Sequence, residues 1–335
     1  MPKSFSRIGK SFSRIGIVGA GAWGFALALA ARRAGRDVRL WGRPGGAFAQ
    51  LGARRRSDLV PGVALPAEIA LADDLAELED CDALLLATPA QSTRRASAEL
   101  GAALRGRPPL VLCAKGFETT SGEFLTDVAA PAGFPLAVLS GPSFAADVAA
   151  GLPTAVTLAA ADPRLAAALA DALQGPNFRL YDSDDPRGVE IGGAAKNVLA
   201  IACGAAAGLN LGASASAALV ARGFAELTRF GASFGARPET LMGLAGLGDL
   251  VLTCASAQSR NFAFGFDLGR GLPPMAAGGG RLAEGAHTAP ALVRLARARG
   301  VDMPIAQAVE AVLSGAVTAR KSVELLLARP RRSEY

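Results

Sequence analysis

A short apolar run at residues 15–18 is followed by closely spaced glycines, then by apolar positions at helical spacing as far as Ala34 and Gly35, then by a second apolar run at 38–41. Short apolar runs bounded by turn residues predict strands, and i, i+3, i+4 spacing predicts a helix, so the chain opens with a βαβ unit. Further apolar runs at 83–87, 110–113, 136–139, 154–158 and 178–181 alternate with stretches of helical spacing. That alternation predicts an α/β fold with a doubly wound, mostly parallel sheet covered on both faces. After Asp185 the pattern changes to Ala- and Leu-rich helical segments punctuated by Gly and Pro, without strand runs of comparable quality. We therefore expect an extension at 1–13, an α/β domain over 14–188 and an all-helical C-terminal domain over 189–335, with a flexible Gly-rich loop at 276–280.

The N-terminus complicates this reading. Residues 1–14 are basic, residues 15–31 carry no charge, and Ala26-Leu27-Ala28 resembles a signal-peptidase site. The apolar stretch is broken by Gly16, Gly19, Gly21 and Gly24, however, in a pattern with its own physical meaning that cleavage would delete. Ser4-Phe5-Ser6-Arg7-Ile8-Gly9 recurs as Ser11-Phe12-Ser13-Arg14-Ile15-Gly16, so the first copy reads as a disordered extension or a misplaced start. No other uncharged apolar run approaches the roughly 20 residues that span a bilayer, and no membrane insertion is expected.

Composition narrows the chemistry. The 335 residues are 51% hydrophobic and 19% charged, which suits about two folded domains. The net charge of +6 is local, because residues 1–60 hold twelve Lys and Arg against Asp37 and Asp58. A nucleic-acid surface and a site for phosphorylated ligands both produce such a balance, and the motif described next favours the second. Cys81, Cys113, Cys203 and Cys254 spell neither a C-x-x-C pair nor a zinc knuckle, and read as buried apolar residues of a reducing cytoplasm. With His287 as the one histidine, no His-based metal site or Ser-His-Asp triad is expected.

Gly19-Ala20-Gly21-Ala22-Trp23-Gly24 is G-x-G-x-x-G, placed after a strand and at the head of a helix. Gly19 permits the tight turn, Gly21 lets the backbone approach a pyrophosphate, and Gly24 allows close helix–strand packing. The helix N-terminus then faces the anion. This makes the N-terminal domain Rossmann-like and NAD(P)-binding. The second strand ends at Leu40-Trp41-Gly42-Arg43, without the acid that would bond a ribose 2′-hydroxyl. Arg43 is suited to a 2′-phosphate, so NADP(H) is expected to be accepted, alongside or in preference to NAD(H).

Among thirty arginines stand only five lysines: Lys3, Lys10, Lys115, Lys196 and Lys321. Arginine does not release its proton in a protein whereas a desolvated lysine does, so lysine retained in such a chain points to proton transfer. Lys3 and Lys10 lie in the extension and Lys321 among helical surface residues near the C-terminus. Lys115 follows a strand, in the crevice where α/β sheets bind ligands, and Lys196 sits among small residues in Gly192-Gly193-Ala194-Ala195-Lys196-Asn197.

These blocks, with Ala114-Lys115-Gly116, Ser140-Gly141-Pro142-Ser143-Phe144-Ala145, Gly246-Leu247-Gly248-Asp249-Leu250-Val251-Leu252-Thr253-Cys254, Ser259-Arg260-Asn261 and Glu284-Gly285, stand in the order seen in bacterial NAD(P)-dependent glycerol-3-phosphate dehydrogenase. The chain resembles that family over residues 14–330. The resemblance implies reversible hydride transfer between sn-glycerol 3-phosphate and dihydroxyacetone phosphate, run mainly as the reduction that supplies phospholipid synthesis. It makes Lys196 the proton acceptor and donor, with Lys115, Asp249 and Thr253 as further catalytic residues. It gives Lys115, Gly141, Ser143, Lys196, Asn197, Asp249, Ser259, Arg260 and Asn261 to the substrate, with Ser259, Arg260 and Asn261 at its phosphate end. It gives Gly19, Gly21, Ala22, Trp23, Gly24, Arg43, Lys115, Ala145, Arg260, Leu282 and Glu284 to the cofactor. His287 reads as a loop residue without a catalytic role. Ala22 replaces a common serine, and Asn210-Leu211-Gly212-Ala213-Ser214 departs from the family's usual loop. The implied protein is cytoplasmic, binds no metal or nucleic acid and forms a homodimer. Two other readings start from the same residues: a hydroxy-acid dehydrogenase of two domains, which gives no reason for Ser259-Arg260-Asn261, and a dinucleotide-sensing DNA-binding regulator, supported only by the basic N-terminal segment.

Overall fold

The computed structural model describes residues 12–280 and 283–330. The chain forms two compact units. One holds the chain up to Lys115 together with Glu123–Glu190, and the other holds Gly116–Gly122 together with the chain from Ile191 onward. The short segment Gly116–Gly122 has no counterpart in the sequence reading, which draws a single boundary at 188.

The first unit is an eight-stranded sheet in the order β3-β2-β1-β4-β5-β6-β7-β8. Its strands are β1 (Arg14–Val18), β2 (Asp37–Trp41), β3 (Ala70–Ala72), β4 (Ala83–Leu86), β5 (Leu110–Leu112), β6 (Leu136–Ser140), β7 (Thr154–Ala160) and β8 (Phe178–Ser183). All pairings are parallel except β6 with β7, which bears out the mostly parallel α/β fold. Each predicted strand run forms a strand. The three-residue edge strand β3 was not among them.

The α-helices that lie wholly in this unit, among the described residues, are α1 (Ala22–Arg33), α2 (Gly46–Arg54), α3 (Thr93–Ala103), α4 (Leu125–Ala129), α5 (Ala145–Ala150) and α6 (Pro163–Leu173). The apolar run of β4 is continuous because both of its faces are covered. Ala83 and Leu85 enter the core that includes Phe25 and Leu29 of α1, while Leu84 and Leu86 enter the core that includes Ala96 and Leu100 of α3. Burying each such leucine contributes about 1.5–3 kcal/mol. Phe12 packs against the first core, and Ser13 N donates to Asp82 (2.9 Å), so the α/β unit takes in the last two residues expected in the extension. Residues 1–11 of that extension lie outside the described residues.

The second unit is helical: most of α7 (Pro186–Gly208), then α8 (Gly212–Ala232), α9 (Pro238–Met242), α10 (Asp249–Cys254), α11 (Arg260–Gly269), α12 (Glu284–Ala298), α13 (Pro304–Leu313) and α14 (Ala319–Leu327). Among the described residues α7 is the one helix long and apolar enough to cross a membrane, but 78% of that stretch is buried inside the protein, as befits a core helix. Its glycines set how closely α11 packs. A Cβ on Gly204 would lie 2.0 Å from Phe262 O, and one on Gly265 would lie 2.1 Å from Ile201 O.

Candidate active site

In the α/β unit the candidate site lies at the carboxyl ends of the strands, where the order reverses between β1 and β4. Gly19 has φ +115, and a side chain there would meet Ala87 O at 2.8 Å. A Cβ on Gly24 would fall 1.7 Å from Gly19 O, so this helix turn touches the loop backbone to backbone. Gly21 differs: a Cβ there would have nothing within 4 Å. Gly21 caps α1 without a side-chain hydrogen bond, and the first turn carries no acidic residue. Open space above uncapped N–H groups at a positive helix end fits a pyrophosphate. Ala22 and Trp23 are half-buried in that first turn, and Arg43 is exposed just past β2. Gly19 N donates to Trp41 O (2.8 Å), which ties the end of β2 to the loop.

Buried side-chain atoms without a hydrogen-bond partner collect in this region. Among the described residues they are Trp23 Nε1, Thr88 Oγ1, Ser140 Oγ and Arg55 Nε, and the first three lie on α1 or at the ends of β4 and β6. Native interiors leave few such atoms unmet away from functional sites. Beyond β5, Lys115 Nζ donates to Gly141 O (3.0 Å), and Ser143 Oγ donates to the same carbonyl (2.9 Å). Gly141 has φ +146 and faces Val156 Cα so closely that a Cβ would be 2.8 Å away. The turn therefore holds Lys115 and Ser143 on one oxygen. Ala145 follows as the first residue of α5, with Phe144 as the cap.

In the helical unit, Lys196 projects from α7 and meets two residues of α10. Its Nζ donates to Asp249 Oδ1 (2.5 Å) and Thr253 Oγ1 (2.8 Å). Thr253 Oγ1 donates to Asp249 O (2.6 Å), one turn back, so its lone pairs are what Lys196 meets. All three are buried. A π-helical turn at Leu244–Gly248 precedes Asp249 and sets the start of α10. π turns concentrate at functional sites, and the visible signal was three glycines, Gly243, Gly246 and Gly248, in six residues.

Beside Lys196, Asn197 accepts from Asn261 Nδ2 (2.9 Å), and Asn261 Oδ1 accepts from Gly285 N (2.8 Å). One buried amide thus joins α7, α11 and the start of α12, where Glu284 is the first residue. Ser259 caps α11 through Phe262 N (3.2 Å), and Arg260 stands exposed at the N-terminus of that ten-residue helix. His287, expected in a loop, lies in the first turn of α12 and is exposed, and Leu282 lies outside the described residues. Among the described residues no group of three or more metal-ligating side chains gathers.

Two family models match the chain, that of the NAD-dependent glycerol-3-phosphate dehydrogenase N-terminus over residues 14–166 and that of its C-terminus over residues 185–324. The chain belongs to the NAD-dependent glycerol-3-phosphate dehydrogenase family. Its relatives in that family include the glycerol-3-phosphate dehydrogenase [NAD(P)+] of Azorhizobium caulinodans, 59% identical over 97% of this chain and 99% of the relative. That of Methylobacterium radiotolerans is 57% identical over 96% and 98%. The crystal structure of the glycerol-3-phosphate dehydrogenase of Coxiella burnetii is 37% identical, covers 96% of this chain and 100% of its own, and superposes with a TM-score of 0.90. The family thus joins the glycine loop of one unit and the Lys196 group of the other in one enzyme.

Proposed function

We propose that this chain is an NAD(P)-dependent glycerol-3-phosphate dehydrogenase that reduces dihydroxyacetone phosphate to sn-glycerol 3-phosphate, with Lys196 giving the proton to the C2 oxygen and taking it back in the oxidation. Family membership supplies the reaction class, and the buried Lys196–Asp249–Thr253 group carries the assignment of roles. Bound NAD(P)H supplies the hydride that reaches C2.

The chain's own residues account for the rest. Asp249 and Thr253 together aim Lys196 Nζ, because both of their oxygens accept from it. Lys115, held by Gly141 O, polarises the C2 carbonyl. The forked guanidinium of Arg260 and the α11 N-terminus take the substrate phosphate. Gly19, Gly21 and Gly24 shape the pyrophosphate seat, and Arg43 receives the 2′-phosphate of NADP(H). Ser143, Ala145, Asn197, Asn261 and Glu284 line the ligands or orient their neighbours.

The same reading makes the protein a cytoplasmic homodimer that feeds phospholipid synthesis. Four free, buried cysteines agree with a reducing compartment, and exposed apolar Val251, Phe266 and Met275 on the helical unit offer surface for a second copy. Sedimentation at two concentrations tests the dimer. The reaction itself is tested by NADPH or NADH consumption with dihydroxyacetone phosphate, comparing the parent with Lys196→Ala. Loss by a factor on the order of 10² to 10⁴ is expected. A folded, NADPH-binding parent without turnover would overturn the substrate assignment.

A further inference from the structure

The peptide that follows Lys115 belongs to the helical unit, although Lys115 itself and Glu123 belong to the α/β unit. Phe117 holds it there. Its side chain is fully buried, and its ring stands edge-on to that of Phe230 on α8, with centroids 6.2 Å apart and planes at 70°. Phe230 lies 5.0 Å from Phe234, and the guanidinium of Arg299 stands 4.3 Å from the centroid of the Phe234 ring. Arg299 also donates to Ser233 O (3.0 Å). The loop is closed on itself by Gly122 N to Glu118 O (2.8 Å) and Ser121 Oγ to Glu118 Oε2 (2.6 Å), and Arg294 donates to Thr119 O (3.1 Å).

Lys115 therefore stands between two anchors. Its ammonium is bonded to Gly141 O, and two residues along the chain the Phe117 ring is seated in an aromatic cluster. Two residues span at most about 7 Å of chain, so the backbone of Lys115 cannot move far without unseating that ring. Buried aromatic pairs of this geometry contribute beyond their area.

We infer that Phe117 is a positioning residue for the proposed reaction, the seat of its ring beside Phe230 setting where Lys115 stands. The inference rests on the role given to Lys115 above. It goes further by assigning a task to a residue outside the substrate and cofactor sets named above, one that acts through Lys115.

The test compares Phe117→Leu with the parent, alone and combined with Lys115→Ala, by steady-state kinetics with dihydroxyacetone phosphate and by calorimetric titration with NADPH. Phe117→Leu is expected to lower kcat/KM for dihydroxyacetone phosphate about 10-fold, since small misplacements of catalytic groups are costly. The NADPH Kd, to which the glycine loop and Arg43 also contribute, changes much less than kcat/KM. In the Lys115→Ala background the Phe117 change adds no further loss. Phe230→Leu, which leaves the loop sequence intact, reproduces the kinetic loss and decides the matter if Phe117→Leu does not fold. Losses that multiply with Lys115→Ala, or variants that lose thermal stability alone, would overturn the inference. A parent without turnover would sink the proposed function itself and this inference with it.

Discussion

Lys196 Nζ and Asp249 Oδ1 are 2.5 Å apart, and the two side chains expose only 7% and 1% of their surface. A pair this deeply enclosed is expensive to break from one side. Asp249→Ala strands a buried ammonium group and should cost about 3–5 kcal/mol of stability in chemical denaturation, besides lowering turnover. Asp249→Asn keeps a hydrogen-bond acceptor and should cost less stability while still lowering kcat. Equal stability losses in the two variants would show that charge pairing is not what holds Lys196.

Gly21 and Gly24 make opposite predictions three residues apart. Gly21 has an extended backbone that any residue adopts (φ −70, ψ −179) and open space around its Cβ position. Gly21→Ala should leave the melting temperature at or slightly above that of the parent, because it restricts the unfolded chain. The same methyl occupies the cofactor's approach and should raise the NADPH Kd on the order of tenfold, about 1.4 kcal/mol. Gly24→Ala drives a carbon into Gly19 O and should instead lower the melting temperature sharply.

Arg43 separates the two cofactors. A charge-assisted hydrogen bond is worth about 1.5–3 kcal/mol, so Arg43→Ala should raise the Kd for NADPH by roughly 10- to 100-fold. The Kd for NADH should hardly move. Equal changes for both cofactors would remove Arg43 from 2′-phosphate recognition.

Glu226 predicts a pH dependence of stability. Burial, with a smaller push from the negative charge of Asp302, raises its carboxyl to about 7, against the hydrogen bonds it accepts from Ile305 N (2.7 Å) and Ala306 N (3.3 Å) and the positive charge of Arg229. A folded-state value above the unfolded one means that the folded protein holds the extra proton. The contribution is then present below about pH 4.5 and is lost as pH rises through about 7. Melting temperatures between pH 5 and 8 should therefore fall less steeply for Glu226→Gln than for the parent. A parallel pair of curves would show that Glu226 does not titrate there.

The long elements were legible because burial on both faces writes continuous apolar runs, as in β4, and because glycine placement marks a phosphate loop. Lys196 stood out because lysine is scarce in this chain. β3 was not legible: three residues paired only to β2 at the sheet edge leave no period to read. Nor was the membership of Gly116–Gly122, since Phe117 looks like any strand-end apolar residue until Phe230 is placed against it. The resemblance gave Asn261 to the substrate phosphate, and its bonds to Asn197 and Gly285 arise from helices 64 and 24 residues away. No local pattern encodes such a link.

The chain has two tryptophans, and both stand at the glycine loop: Trp23 in the first turn of α1, Trp41 at the end of β2 with its carbonyl bound to Gly19 N. Indole emission overlaps the absorption of a reduced nicotinamide. The protein therefore carries a built-in fluorescent donor pair at one place, and energy transfer from it to bound NADPH reads cofactor occupancy in the unlabelled wild-type chain, with no background from indoles elsewhere.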